Sequence, residues 1–74
     1  MESALSGVKK GVSCVVKSVE CGEAYRRRLY DLGLLPGTKV TVAGRAPFGG
    51  PVTVRLRGYY LSVGIREAAS IFLE

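Results

Sequence analysis

The sequence predicts a mainly β domain: a small, strongly bent barrel of five short strands, with one α-helix between the first two strands and a short helical turn near the C-terminus. Three observations carry that expectation. The chain has 74 residues, room for a single domain (1–74) that buries roughly 60% of its unfolded surface. Its hydrophobic content of 47% argues for a packed core rather than disorder. Short alternating runs separated by Gly and Pro breakers dominate, and only one segment of any length shows a helical period. Strands joined by tight hairpins bury one face each, so a curled sheet that limits its open edges is the economical solution. SH3-like and OB-like barrels both satisfy this periodicity.

The elements follow in order, with an ordered core expected over about 8–73. After the turn-rich Ser6–Gly11 stretch, Val12, Cys14 and Val16 alternate with Ser13, Val15 and Lys17 as a first strand,. Ser18–Gly22 reads as a connection. From Glu23 to Leu32 the period becomes helical, with Tyr25, Leu29 and Leu32 on one apolar stripe,. Glu23 suits the first turn of that helix, and Gly33 suits the left-handed residue just past its end. Leu35-Pro36-Gly37-Thr38 is a type II turn sequence, because Pro presets φ at its second position and Gly supplies positive φ at its third. Three β segments come next: Lys39–Ala43, Val52–Arg57 and Tyr59–Val63. The breaker-rich loop Ala46-Pro47-Phe48-Gly49-Gly50-Pro51 separates the first two, and Gly58 marks a tight hairpin or a bulge between the others. Ile65–Ala69 reads as a helical turn and Ile71–Leu73 as a closing strand.

Composition narrows function before any motif does. With no histidine in the chain, Ser-His and Cys-His nucleophiles and histidine zinc sites are excluded, and the six acids are scattered. An enzyme is not expected. The N-terminus has no signal-peptide pattern and no apolar run is long enough to span a bilayer, so a cytoplasmic protein is expected. The net charge of +5 suits attraction to nucleic acid, anionic lipid or an acidic protein surface, or simply solubility.

Four fragments, taken together, resemble one family. Arg27-Arg28-Leu29-Tyr30-Asp31-Leu32-Gly33-Leu34-Leu35-Pro36-Gly37-Thr38 is similar to the R-L-x-x-L-G-[LM]-x-P-G signature of FeoA, ferrous iron transport protein A. Ala46-Pro47-Phe48-Gly49-Gly50-Pro51 resembles that family's A-P-L-G-[DG]-P loop, and Arg57-Gly58-Tyr59-Tyr60-Leu61-Ser62-Val63 its R-G-Y-x-L-[SA]-L strand. Glu67-Ala68 followed by Ile71 matches its closing E-A-x-x-I. The resemblance covers about Val12 to Leu73. It implies an SH3-like barrel and a cytosolic accessory role in bacterial ferrous iron uptake, acting by protein contact on FeoB, the membrane transporter with a GTPase domain. Fe(2+) is then the ion carried by the system, and membrane contact is expected only through the transporter.

The candidate sites are weighed against that expectation. Cys14 shares a face with Val12 and Val16 and reads as a buried small hydrophobe. Cys21 lies near Glu20 and Glu23 in sequence, enough for weak transition metal ion binding at most, so no metal site and no tightly bound cofactor is assigned. Arg26, Arg27 and Arg28 fan around the helix and read as a solvated face. Arg55 and Arg57 share one strand face and form a basic patch if Lys39 or Arg45 lies alongside. Leu34, Leu35 and Pro36, with Pro47 and Phe48, have two readings. Either Leu34 packs under the helix cap and Phe48 covers a barrel end, or these loops line a docking groove for an extended segment. The partner-binding set is therefore Leu34, Leu35, Pro36, Pro47, Phe48, Arg55 and Arg57. The alternative function is a basic barrel for single-stranded nucleic acid, with Arg55 and Arg57 beside Tyr59 and Tyr60.

Overall fold

The computed structural model describes residues 3–74. Six antiparallel strands form one sheet in the order β1-β6-β2-β3-β4-β5: β1 Ser3–Ala4, β2 Ser13–Val19, β3 Lys39–Arg45, β4 Val52–Leu56, β5 Tyr59–Val63 and β6 Ile71–Leu73. Helix α1 spans Glu23–Asp31 and α2 spans Ile65–Ala68. The sheet curls about β2. Its first half pairs with β3 (Ser13 with Thr41, Val15 with Lys39), and its second half pairs with β6 (Val16 with Leu73, Val19 with Ile71). A register shift between Val16 and Ser18 marks the corner, as a bulge does where a strand must turn.

The expected strands are present with altered bounds: β2 starts at Ser13 rather than Val12, β3 runs on to Arg45 rather than ending at Ala43, and β4 ends at Leu56, which leaves Arg57 in the turn. β2 continues through Ser18 and Val19, read from sequence as a connection, because β6 supplies their partners only in the folded chain. β1 adds a sixth strand by pairing Ser3 with Leu73 and Ala4 with Phe72. Two residues have no period to read, and their strand state comes from the open edge of β6. Just after β1, a 3-10 turn at Leu5–Gly7 delivers Leu5 fully buried into the core, upstream of the expected start at residue 8.

The core consists of the inward faces of the strands: Val16, Val19, Val40, Val42, Val52, Val54, Leu56, Val63, Ile71 and Leu73, joined by Leu5, Leu29, Leu34 and Ala68. Helix α1 contributes Leu29 in full and Tyr25 in part, whereas Leu32 is 39% exposed. The expected three-residue stripe is thus reduced, because Leu32 falls on the cap, where the chain turns away from the sheet.

That cap positions everything that follows. The Leu34 N–H donates to the Leu29 carbonyl at 2.9 Å and the Gly33 N–H to that of Tyr30 at 3.0 Å. This is the pairing of a Schellman motif, with Gly33 at φ +96°,. Leu34 then follows the motif's hydrophobic contact into the core against Leu29. The Pro36-Gly37 turn comes next, closed by the Thr38 N–H on the Leu35 carbonyl at 3.0 Å, with Gly37 at φ +91° as the type II turn requires,.

Candidate functional site

A cleft of about 580 Å³ opens between this turn and the outer face of β3 and β4. One wall is apolar, formed by Leu35 and Pro36. The other is basic and polar, formed by Lys39, Thr41, Arg55 and Arg57, with Leu56 beneath.

Local structure fixes each wall. Thr38 is 9% exposed and ties the apolar wall internally. Its hydroxyl accepts from the Leu35 N–H and donates to the Gly33 carbonyl, both at 3.2 Å. The turn is pinned to β2 by the Gly37 N–H on the Val16 carbonyl at 2.7 Å and the Val16 N–H on that of Thr38 at 2.9 Å. The basic wall rests on sheet register. Ser13, Thr41, Arg55 and Tyr60 form one outward row across four strands, and Lys39 lies two residues along on the same face. The Ser13 and Thr41 hydroxyls bond at 2.8 Å within that row.

Arg57 closes the cleft at the β4–β5 hairpin. This is a two-residue loop between the paired Leu56 and Tyr59, with Arg57 at φ +49° and Gly58 at φ +85°. Positive φ at both central residues is the signature of a type I′ turn. The Arg57 stem lies over the helix cap. A Cβ at Gly33 would stand 3.6 Å from Arg57 Cδ and 2.8 Å from Tyr59 Oη. Gly33 is thus required by its φ, while an added Cβ would merely touch Arg57 Cδ and would displace the hydroxyl end of Tyr59. A cation beside the C-terminal end of α1 is also favoured by the helix dipole.

The expected site residues therefore separate into three groups. Leu35, Pro36, Arg55 and Arg57 line one cleft, joined by Lys39. Leu34 is fully buried and belongs to the core, as the capping reading expects. Pro47 and Phe48 sit in the β3–β4 loop at the other end of β4, and Phe48 is 103% exposed, so it covers no barrel end. Arg45 is also apart from Arg55 and Arg57. It pairs in register with Val52 and donates from Nη1 to the Val8 carbonyl at 2.8 Å. Thr38 and Thr41 were not singled out from sequence. A threonine after Pro-Gly and another in an alternating strand carry no signal until register is known.

Among the described residues, no group of three His, Cys, Asp or Glu side chains could hold a metal ion. Cys14 and Cys21 are both half-buried free thiols. Burial pushes the Cys14 thiol above its ordinary range. For Cys21, burial does the same with the help of Glu67, against the lowering effects of a backbone hydrogen bond and Arg26. A raised thiol pKa disfavours the thiolate that metal ligation needs. No helix of the described residues is long and apolar enough to cross a membrane.

Comparison with known proteins agrees with this architecture. The family model of the FeoA domain matches residues 4–74. The Fe(2+) transport protein A/Fe(2+) transporter FeoB fusion protein of Porphyromonas gingivalis is 33% identical over 70 residues, covering 95% of this chain. The chain spans only 8% of that relative's length. The solution structure of FeoA from Chlorobium tepidum superposes with a TM-score of 0.92 at 40% identity, covering 97% of this chain and 69% of that one. The zinc complex of Stenotrophomonas maltophilia FeoA, described as a prokaryotic SH3 domain protein, gives a TM-score of 0.83 at 29% identity. There the coverage is 97% of this chain and 89% of the other. Periodicity left SH3-like and OB-like barrels open, and these likenesses decide for the SH3-like fold. With the family model matching nearly the whole chain, this protein belongs to the FeoA family.

Proposed function

We propose that this chain serves ferrous iron transport as a non-catalytic docking module on the cytoplasmic side of a FeoB-type transporter, and that the cleft between the Leu35-Pro36 turn and Arg55/Arg57 receives a segment of it. The observation that carries the reading is the pairing of an apolar wall with a basic one in a single open cleft. Such a cleft suits an extended segment bearing both apolar and acidic side chains. The fusion of a related domain to FeoB in Porphyromonas gingivalis supports the choice of partner, since fused domains work in one assembly. Ferrous ion is the cargo of the system in this reading. The raised thiols and the lack of a ligand cluster among the described residues argue for contact with the transporter over tight metal holding.

The test is titration against the full-length transporter in detergent or nanodiscs. Wild type binds, and Arg55→Glu with Arg57→Glu weakens binding by about tenfold or more while circular dichroism stays unchanged. Equal binding by the double variant removes the cleft from the interface. A second reading, single-stranded nucleic acid, draws on one observation: Arg55 is the cross-strand partner of Tyr60, which is 66% exposed, so a phosphate contact and a stacking platform adjoin. Salt-dependent binding of an oligonucleotide, lost with Tyr60→Ala, would favour it.

A further inference from the structure

The β3–β4 loop leaves an aromatic side chain with nothing of its own molecule to touch. Phe48 is 103% exposed at φ +59°, followed by Gly49 at φ +74°. The turn is closed by the Gly50 N–H on the Pro47 carbonyl at 3.2 Å, and the loop base by the Ala46 N–H on the Pro51 carbonyl at 3.1 Å. Gly50 packs so tightly that a Cβ there would come 2.5 Å from that of Ala46. The tip is therefore a braced turn flanked by two exposed prolines, not a slack loop that could fold Phe48 away.

The surroundings of the tip are basic. Arg45 opens the loop and reaches the Val8 carbonyl at 2.8 Å, which ties the Lys9-Lys10-Gly11 turn to this end of the sheet. The Gly11 N–H on the Val42 carbonyl at 2.7 Å and the Val12 N–H on that of Lys9 at 3.2 Å hold that turn in place. Val12 at its end is a further apolar side chain, 46% exposed. Segments 8–12 and 44–52 hold Lys9, Lys10 and Arg45 and no acidic residue, while the β5–α2 junction, which joins this end through Val63 paired with Val52, adds Arg66 and Glu67 as a balanced pair. An aromatic at the apex with cations set behind it is the arrangement that seats a protein on an anionic bilayer. The apolar tip enters the headgroup boundary while the basic side chains meet lipid phosphates.

We propose that this end of the domain binds an anionic membrane surface directly, with Phe48 as the inserted residue and Lys9, Lys10 and Arg45 as headgroup contacts. Membrane contact would then not run through a transporter alone. The proposal is independent of the cleft, which lies at the opposite end of β4. The bilayer is favoured over a protein pocket because a lone exposed aromatic tip with cations on the segments behind it complements a laterally uniform anionic plane.

The chain has no tryptophan, so Phe48→Trp gives a single tryptophan at the apex, excited selectively beyond the absorption of the four tyrosines. The probe is phosphatidylcholine vesicles with and without phosphatidylglycerol, free of any transporter. The expected result is a blue shift of the tryptophan emission of this variant with phosphatidylglycerol vesicles only. Phe48→Ser should weaken cosedimentation by about tenfold or more, and Lys9→Glu with Lys10→Glu by at least about fivefold. The blue shift should persist when Arg55→Glu and Arg57→Glu are added, which separates this surface from the docking cleft. No blue shift overturns the proposal. So does binding that depends on the lysines but not on Phe48, which marks unspecific attraction of a basic domain.

Discussion

At one end of β4 the Arg57-Gly58 turn folds its arginine back over Gly33, whereas at the other the Phe48-Gly49 turn holds its phenylalanine wholly in solvent. Both turns place a non-glycine residue at positive φ, the only two such residues among those described. Each position costs about 1 kcal/mol for an L-residue with a Cβ. At Arg57 the structure supplies a return, since the aliphatic stem covers the helix cap at Gly33. At Phe48 no intramolecular return exists. The same backbone device thus serves a structural closure at one end and an outward-facing contact at the other, and stability measurements can separate the two.

The largest effect tests the base of the closed end. Leu34→Ala removes a fully buried side chain beneath the cap and should cost about 3 kcal/mol, read as a lower urea midpoint. A loss under about 1 kcal/mol would return Leu34 to the surface and to the docking set. Gly33→Ala follows. The alanine must hold a φ of +96° and push the Tyr59 hydroxyl aside, so a loss of about 2 kcal/mol is expected, most of it from the backbone. The variant should leave the Arg57 stem in place and move Tyr59, since only the tyrosine hydroxyl is crowded. A shifted Tyr59 ring resonance with unchanged arginine methylene relaxation by NMR would show this, and loosened arginine methylenes would mean that the stem rests on the cap only through glycine.

These predictions also show what sequence alone could reach. Gly33, Pro36 and Gly37 were legible because each sits where backbone geometry admits few other residues,. The alternation of Val52, Val54 and Leu56 was legible because one buried face imposes a period of two,. The sixth strand was not, since Ser3 and Ala4 have a partner only when β6 arrives. The candidate site was half legible. Leu35, Pro36, Arg55 and Arg57 meet because β2–β3–β4 register stacks them, and register between distant segments is a tertiary property. For the same reason Arg45 and Phe48 could not be separated from the cleft before the strand ends were known. Nor could sequence decide between Leu34 buried and Leu34 exposed, as a leucine after a cap serves either role.

A pair of matched substitutions sharpens the comparison at smaller amplitude. Asparagine tolerates the left-handed region and is favoured before glycine in type I′ turns. Phe48→Asn loses no intramolecular contact, so it should stabilise the fold by about 1 kcal/mol. Arg57→Asn relieves the same backbone strain but gives up the stem's cover over Gly33, so its gain should be about half as large or vanish. Equal gains in denaturant titrations would show that Arg57 packs no better than Phe48, and the distinction between the two ends would fall.

The smallest effect concerns pH. Arginine stays charged across the accessible range, and with no histidine in the chain neither end of β4 has a switch near neutrality. The shifted groups lie elsewhere: Cys14 in β2, raised by burial, and Cys21 before α1, raised first by burial and then by Glu67. A thiol whose folded pKa lies above its unfolded value stays protonated longer in the native state. Its contribution to stability is therefore fully present below the unfolded pKa and is lost as pH rises through the folded one. Urea midpoints should be flat around pH 7 and decline in the alkaline range, from about pH 8.5 upward. Cys14→Ala with Cys21→Ala should remove that thiol contribution while leaving the transporter and vesicle assays unchanged. An undiminished alkaline decline in the double variant would remove the thiols as its cause. Binding lost with the thiols would bring the cysteines into the contact surfaces, where the geometry of β4 does not put them.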